Sequence, residues 1–457
     1  MILQKDNQTT QKFSQLFTQV APLPQQNLSC LRTVPMAGLT GEPPLASCRV
    51  SVVIPVRNEA ENLPAVIQAL ANQVDGKGNL LASNSYEILL LANNCTDDTV
   101  EVVRRLSACY PRLQLQIIQV SIPKEIAHVG RARQMVMDEA YRRLSLIGRQ
   151  NRIIASTDGD TQVASNWISS LVNEFDQGVD AVGGRIITCQ SRILDITPKV
   201  SLYYLRRIAH AYLSAQIECF LDPQVHDCWP RHFQYYGANM AVSAEMYGHI
   251  GGLPLVKTEE DVALYQQLKL VDARIRHSPD VRVLTSARRV GRATGGLAEL
   301  LEMLTYASQT NQAVLVESPA ITEGRILIRR HLRQAWTGLQ DNCSFNIKHY
   351  VRTADILAKS LGLSITRLRQ CIETASTFGR LVATISDYQA EQIDPRCLQP
   401  TTEISIANMH LRQRLQTIRQ YSGNPSAQYV RTGTSLAVIL KALQQVQSIP
   451  LFSPADQ

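Results

Sequence analysis

The sequence predicts an α/β domain, a mostly parallel sheet with helices on both faces, followed by an all-α region that reaches the C-terminus. Three observations predict it. Short apolar runs of strand length alternate with stretches of helical spacing from residue 50 onward, the pattern of βαβ units. The first of these runs, residues 50–56 (VSVVIPV), is apolar almost throughout, as strands buried on both faces are. After about Gly296 the pattern is helical, with polar breaks near Asn342, Pro395 and Gly423.

The elements follow in order. Residues 1–48 are rich in Gln, Thr, Pro and Asn and are interrupted by Pro22, Pro24, Pro35, Pro43 and Pro44, so they read as a polar, flexible arm. Residues 50–56 form the first strand, and Leu63, Val66, Ile67 and Leu70 mark a helix behind it. Residues 86–91 (YEILLL) are the second strand, followed by a helix carrying Val100, Val103 and Leu106. A third strand over 113–120 leads to a helix over 128–146; a fourth, 152–156, leads to a helix starting near Ser165. The remainder is less regular: a strand over 179–188 broken at Gly183-Gly184, a long helix over 200–220, and a polar-aromatic loop over 222–232. A strand over 235–243, a helix over 258–270 and a short strand pair over 274–286 complete it. The expected division is an arm (1–48), an α/β domain (49–295) and a helical domain (296–457).

With 457 residues, 45% hydrophobic and 19% charged, the chain is neither disordered nor fibrous. Its formal charge of +7 suits anionic ligands without requiring nucleic acid. No Lys/Arg run interleaved with aromatics is present, so nucleic-acid binding is not expected. No segment reaches the ~18 apolar residues of a membrane span, and residues 1–10 lack a basic start leading into an apolar run. The expected location is the cytoplasm; the apolar stripe of 200–220 leaves peripheral contact with the inner membrane face as a second reading. The ten cysteines have no close CxxC pair and read as free thiols.

In sheets of this kind ligands lie beyond the carboxyl ends of the strands. The fourth strand ends in Ser156-Thr157-Asp158-Gly159-Asp160-Thr161. If extended geometry persists, Asp158 and Asp160 point to the same side and offer oxygens to a hard cation such as Mn²⁺ or Mg²⁺. A plain Asp-Gly turn is the alternative. The first strand ends in Pro55-Val56-Arg57-Asn58-Glu59 and the second in Asn93-Asn94-Cys95-Thr96-Asp97-Asp98-Thr99, on the same sheet edge. Singly, Asn58, Thr96, Asp97 and Asp98 could be helix caps. Three polar strand ends on one rim exceed what capping requires.

Taken together, VVIPVRNE (52–59), NNCTDDT (93–99) and the 158–160 triplet resemble the nucleotide-sugar site of family 2 glycosyltransferases with the GT-A fold, over roughly residues 50–290. The resemblance implies that Pro55, Arg57 and Glu59 border the donor's base. Asn93 stands where the family usually has Asp, so the base stays open between uracil and guanine, either of which an amide can meet. Asp158 is implied near the ribose, and Asp160 on a divalent cation (Mn²⁺ or Mg²⁺) that bridges the diphosphate, the family's DxD motif. Arg131 and Arg133 open a helix, an arrangement suited to phosphate, and Arg133 aligns best with a family arginine; a solvated helix face is the alternative.

Asp261, within Thr258-Glu259-Glu260-Asp261-Val262, matches the family's catalytic base. Glu260, Asn239 and Trp229 fall on the implied acceptor side. The implied activity is transfer of a hexose from a UDP- or GDP-sugar to a hydroxyl of an unidentified acceptor, metal-dependent and inverting. A retaining transferase acting on a small acidic acceptor and a non-catalytic nucleotide-sugar-binding scaffold are the alternatives. A nucleotidyltransferase ranks lower, because no Gly-rich basic loop follows the first strand. His277 reads as structural, and Arg288, Arg289 and Arg292 as either a solvated face or an anion contact.

Overall fold

A computed structural model describes residues 34, 38–41, 43–148, 151–188, 197–286, 297–340, 347–392 and 400–422. Most of the N-terminal arm, the 295/296 boundary and Arg288, Arg289 and Arg292 lie outside the described residues.

Strands β1 (Val50–Val56), β2 (Tyr86–Asn93), β3 (Leu115–Val120) and β4 (Ile153–Thr157) make the parallel half of an eight-stranded sheet. β5 (Thr161–Val163), β6 (Ala181–Thr188), β7 (Asn239–Ser243) and β8 (Ile275–Thr285) extend it, giving the order β3-β2-β1-β4-β7-β6-β8-β5. β7 runs antiparallel to β4 and β6, and β5 antiparallel to β8, so the sheet is mixed with four of its seven pairings parallel. β5 has no counterpart in the expected element order. Where a strand pair was expected over 274–286, β8 is a single strand. Its Ser278-Pro279-Asp280 stretch resembles a turn in sequence but is a bulge, where the register against β6 steps from Gly184–Ser278 to Arg185–Arg282.

The helices are α1 (Leu63–Ala71), α2 (Thr99–Cys109), α3 (Val129–Leu146), α4 (Trp167–Asp176), α5 (Pro198–Leu221), α6 (Ala244–His249) and α7 (Glu260–Leu270). Strand alternation splits the core into two layers. Val52, Ile54, Ile88 and Leu90 meet Leu63, Ile67 and Leu70 of α1 and Trp167 of α4. On the other face Val53, Leu89, Leu91 and Ile154 meet Ala132, Val136 and Ala140 of α3 and Leu264 and Leu268 of α7. The described end of the arm docks on α3: Val34 joins this core, and Leu39 N donates to Glu139 Oε2 at 3.0 Å.

Beyond the sheet lie α8 (Leu297–Gln309), α9 (Pro319–Gln340), α10 (Ile347–Ser360), α11 (Ile365–Thr374), α12 (Phe378–Gln392) and α13 (Ile404–Ser422). A two-stranded antiparallel ribbon, β9 (Leu315–Glu317) with β10 (Thr401–Glu403), accompanies these helices. α5 joins the two parts. Pro198 occupies its first turn and Thr197 caps it, while Ile217 and Leu221 at its far end pack into the helical core with Ile321, Leu332 and Leu381. The end of α7 is tied to the start of α12: Asp272 accepts from Phe378 N at 2.7 Å and Gly379 N at 2.8 Å. Among the described residues no helix is long and apolar enough to cross a membrane.

Candidate active site

The carboxyl ends of β1, β2 and β4 lie side by side. Several rim residues serve the backbone. Asn58 (φ 56°) and Asn94 (φ 50°) adopt left-handed turns, which Asn tolerates better than most residues. Asn58 Oδ1 accepts from Thr96 N at 2.7 Å, and the Asn94 amide brackets Ile122, with Nδ2 donating to its carbonyl and Oδ1 accepting from its N–H. Asp97 accepts from Ala60 N and Thr99 N. These residues knit the strand ends together rather than capping helices: the N-caps of α1 and α2 are Asn62 and Asp98, and neither makes a side-chain cap hydrogen bond.

Arg57, Glu59, Asn93, Asp158 and Asp160 remain. Arg57 is exposed, and Pro55, within β1, is buried. Glu59 is nearly buried and accepts from Asn62 Nδ2 at 2.7 Å. Asn93 is 4% exposed, and its Oδ1 is a buried acceptor without a partner among the described residues. An orphaned buried acceptor costs ~1–3 kcal/mol, which a ligand's N–H would remove.

Extended geometry does not persist through the 158–160 triplet. Thr161 N donates to Asp158 O at 3.1 Å, closing a turn, so the extended geometry on which the same-side reading depended is absent. Instead they take different partners. Asp158 Oδ1 accepts from Arg133 Nη2 at 2.8 Å, and Asp160 Oδ2 accepts from Ser286 Oγ, just past β8, at 2.5 Å. Gly159 makes the turn possible, because a Cβ there would fall 2.7 Å from Val56 Cγ1 and 3.0 Å from Glu59 Cγ. The triplet is thus both a turn and a pair of carboxylates at the rim. Only the absence of a side chain at 159 lets it lie against the end of β1.

Arg133 was expected to offer a guanidinium to phosphate; the structure corrects this. The residue is 4% exposed and its fork is engaged. Nε donates to Glu260 Oε1 at 2.9 Å, Nη1 to Ser156 Oγ at 2.6 Å and to Gly237 O at 3.1 Å, and Nη2 to Asp158. Burial opposes its charge, but Asp158 and Glu260 hold its pKa above the usual arginine range. The guanidinium lies so close over Gly237 that a Cβ there would be 2.8 Å from Arg133 Cζ. Arg133 therefore ties the β4 turn to the start of α7.

Glu260 belongs to this buried knot rather than facing an acceptor, a second correction. Its neighbour Asp261 accepts from Gly237 N at 2.7 Å through Oδ2 and from Val262 N at 2.9 Å through Oδ1. Burial, and then the charge of Glu260, raise its pKa above the ordinary carboxylate value. The folded state thus holds this proton more tightly than the unfolded chain. The stability it contributes is full below the ordinary carboxylate pKa and is lost as pH rises through the raised one.

Asn239 is not on an acceptor face. It is 1% exposed, donates to Arg185 O and Val281 O, and accepts from Trp167 Nε1 at 2.8 Å, pinning the centre of the sheet. Trp229 is half-buried, its ring edge-on to Tyr212 at 5.7 Å. The rest of its loop is stapled to β8: Asp227 pairs with His277 Nδ1 at 2.8 Å and Arg231 Nη1 at 2.8 Å, and His232 Nε2 meets Ser278 O. His277 is buried and serves that staple. Sequence reasoning does not single out Ser156, Ser286 or the Gly237 N–H. Their roles depend on contacts between distant segments, which no local motif encodes.

Residues 51–235 match the family model described as Glycosyl transferase family 2. That segment belongs to this family. The family 2 segment contains β1, β2, β4 and the 158–160 turn, and it stops short of Glu260 and Asp261. Glycosyltransferase AglE of Haloferax volcanii is 31% identical over 138 residues, 30% of this chain and 39% of its own. An uncharacterized glycosyltransferase of Mycobacterium tuberculosis is 29% identical over 143 residues, 31% of this chain and 50% of its own. The chain therefore spans half or less of the curated relatives it matches. Among solved structures, a mannosyltransferase from Pyrobaculum calidifontis in complex with GDP-Man and Mn²⁺ is 16% identical with a TM-score of 0.35, covering 89% of this chain and 88% of the other. S. aureus TarS 1-349 in complex with UDP-GlcNAc is 13% identical with a TM-score of 0.39, covering 78% and 99%. At these TM-scores the superpositions define no detail of the site.

Proposed function

We propose that the chain transfers a sugar from a nucleotide-diphosphate sugar to an acceptor hydroxyl, with inversion, and that residues 49–295 form the transferase unit. One observation carries this reading: the Asp158–Arg133–Glu260 chain joins the rim turn to the helix that bears Asp261. Donor-side and acceptor-side carboxylates are thereby held in one fixed array. On the donor side the orphaned Oδ1 of Asn93 suits the ring N–H of uracil or guanine.

On the acceptor side Asp261 receives the proton of the attacking hydroxyl. The acceptor oxygen bonds to the anomeric carbon, the bond from that carbon to the diphosphate breaks, and the nucleoside diphosphate departs. Two N–H groups aim the Asp261 carboxylate. Its raised pKa makes its carboxylate a stronger base than a solvated one.

Among the described residues no cluster of three His, Cys, Asp or Glu side chains could cage a metal. A carboxylate at a strand-end turn nevertheless fits Mg²⁺ or Mn²⁺, which are commonly held by one or two carboxylates together with substrate phosphates and water. Asp160, with Asp158 beside it, would hold the cation, which supplies charge stabilisation to the departing diphosphate. Calorimetry of the full chain with UDP-glucose and GDP-mannose, with and without Mn²⁺, tests the reading. Asp160→Ala is expected to remove the Mn²⁺-dependent affinity, tenfold or more, which is ~1.4 kcal/mol. If chelator and Asp160→Ala both leave donor affinity unchanged, the metal assignment is wrong. If the wild-type chain binds no nucleotide sugar, the transferase reading falls with it.

A further inference from the structure

The short strand β5 creates a contact at the rim that no local motif encodes. It starts at Thr161, one residue after Asp160, and pairs antiparallel with the end of β8: Thr161 with Thr285, Gln162 with Leu284 and Val163 with Val283. On its other edge the end of β8 pairs with β6, up to Thr188 with Thr285. Strand pairing on both sides thus fixes where β8 ends, and Ser286 is the next residue. Residues directly opposite each other on antiparallel strands share a face, and paired threonines hydrogen-bond there. Thr161 Oγ1 donates to Thr285 Oγ1 at 2.9 Å, and Thr161 is fully buried. Beside this pair Ser286 Oγ donates to Asp160 Oδ2 at 2.5 Å, while Thr161 Oγ1 lies 3.4 Å from Asp160 Oδ1.

The two rim carboxylates are therefore anchored by unlike groups. Arg133 anchors Asp158 through an ion pair, which offsets its charge. Ser286 anchors Asp160 through a neutral hydroxyl. Such a donor fixes the plane of a carboxylate without cancelling the charge that attracts a divalent cation. The 2.5 Å separation is at the short end for a hydroxyl on a carboxylate. Groups that hydrogen-bond a metal-binding side chain set its orientation, and losing one typically costs ~10–100-fold in metal affinity.

We propose that Ser286 is a positioning residue for the metal-binding carboxylate. Its hydroxyl sets the orientation of Asp160, and the β5–β8 pairing sets Ser286 in turn. The inference rests on the reading of Asp160 as the residue that holds Mn²⁺ or Mg²⁺. It makes the end of β8, 126 residues further along the chain, part of the donor half of the site.

The test is a calorimetric titration of Mn²⁺ into the full chain in excess UDP, with a parallel series in excess GDP. Wild type, Ser286→Ala, Ser286→Thr, Thr285→Val and Asp160→Ala are compared. Ser286→Ala is expected to weaken Mn²⁺ binding ~10–100-fold. Ser286→Thr keeps the hydroxyl and should restore most of that affinity. Thr285→Val removes the neighbouring hydroxyl pair but keeps a β-branched side chain on the strand, so it should weaken Mn²⁺ binding less than Ser286→Ala does. Nucleoside diphosphate affinity in chelator and the metal-free melting temperature should match wild type in Ser286→Ala. Unchanged Mn²⁺ affinity in Ser286→Ala, where Asp160→Ala loses it, overturns the role of Ser286 and leaves the metal reading standing. Equal losses in Ser286→Ala and Thr285→Val place the effect in the strand pairing and also overturn it. Matching titrations of wild type and Asp160→Ala sink the metal reading and this inference together.

Discussion

Replacing Asp261 by Asn is expected to lower sugar transfer ~10²–10⁴-fold, the range a positioned general base supplies, while leaving nucleotide-sugar affinity intact. Asn is nearly isosteric but presents only one acceptor, so either the Gly237 or the Val262 N–H loses its partner. That loss costs ~1 kcal/mol and is offset by removal of a charge that burial disfavours. The melting temperature should therefore move little while turnover collapses. Glu259→Gln is the matched control, because Glu259 is exposed and its replacement removes a neighbouring charge without touching the knot. The pH profile gives a second readout. Activity requires ionised Asp261, so the rate should fall on the acid side through a pKa above the ordinary carboxylate value. Transfer by Asp261→Asn above a tenth of wild type would remove Asp261 from the base role and favour a retaining mechanism.

Arg133→Met should produce the largest loss of stability, ~3–5 kcal/mol, the usual cost of leaving one member of a buried ion pair alone. Glu260 is 5% exposed and its only ion-pair partner among the described residues is Arg133. Against a typical total of ~5–15 kcal/mol, that loss should be plain in the denaturant midpoint. Adding Glu260→Gln to Arg133→Met should restore part of it, because the orphaned charge is then gone. Donor affinity should fall in both, since Asp158 loses its anchor. A loss under ~1 kcal/mol in Arg133→Met would mean that water reaches Glu260 and that the knot is not closed.

The strands that form the rim were legible because their apolar runs are compact and their polar ends abrupt. The β1, β2 and β4 ends fall where the sequence puts them, as do the helices behind them. β8 was not legible. Pro279-Asp280 carries the local signature of a turn, and only the partner strand β6 shows that it is a bulge. The roles of Arg133 and Asn239 were hidden for a related reason. A helix-opening arginine and a strand-end amide look exposed in one dimension, whereas their burial is created by Glu260, Gly237, Arg185 and Val281, all from other segments. Asp261 could be singled out by its place before an apolar helix, but the raised pKa comes from packing and from Glu260 together.

α7 is a strut. Its first turn carries Asp261, and after 11 residues, roughly 16 Å of rise, its far end meets the helical region, where Asp272 grips the first amides of α12. Thr377 Oγ1 closes the same joint onto Leu270 O at 2.6 Å. The helical region is therefore not a passive appendage that recombination could freely exchange. Any replacement would have to offer Asp272 the same two amides at the same height, or the proposed base would lose its alignment. Lineages that share the sheet but exchange the helices beyond it are thus constrained at a joint far from the sugar, and that joint is where compensating substitutions should accumulate.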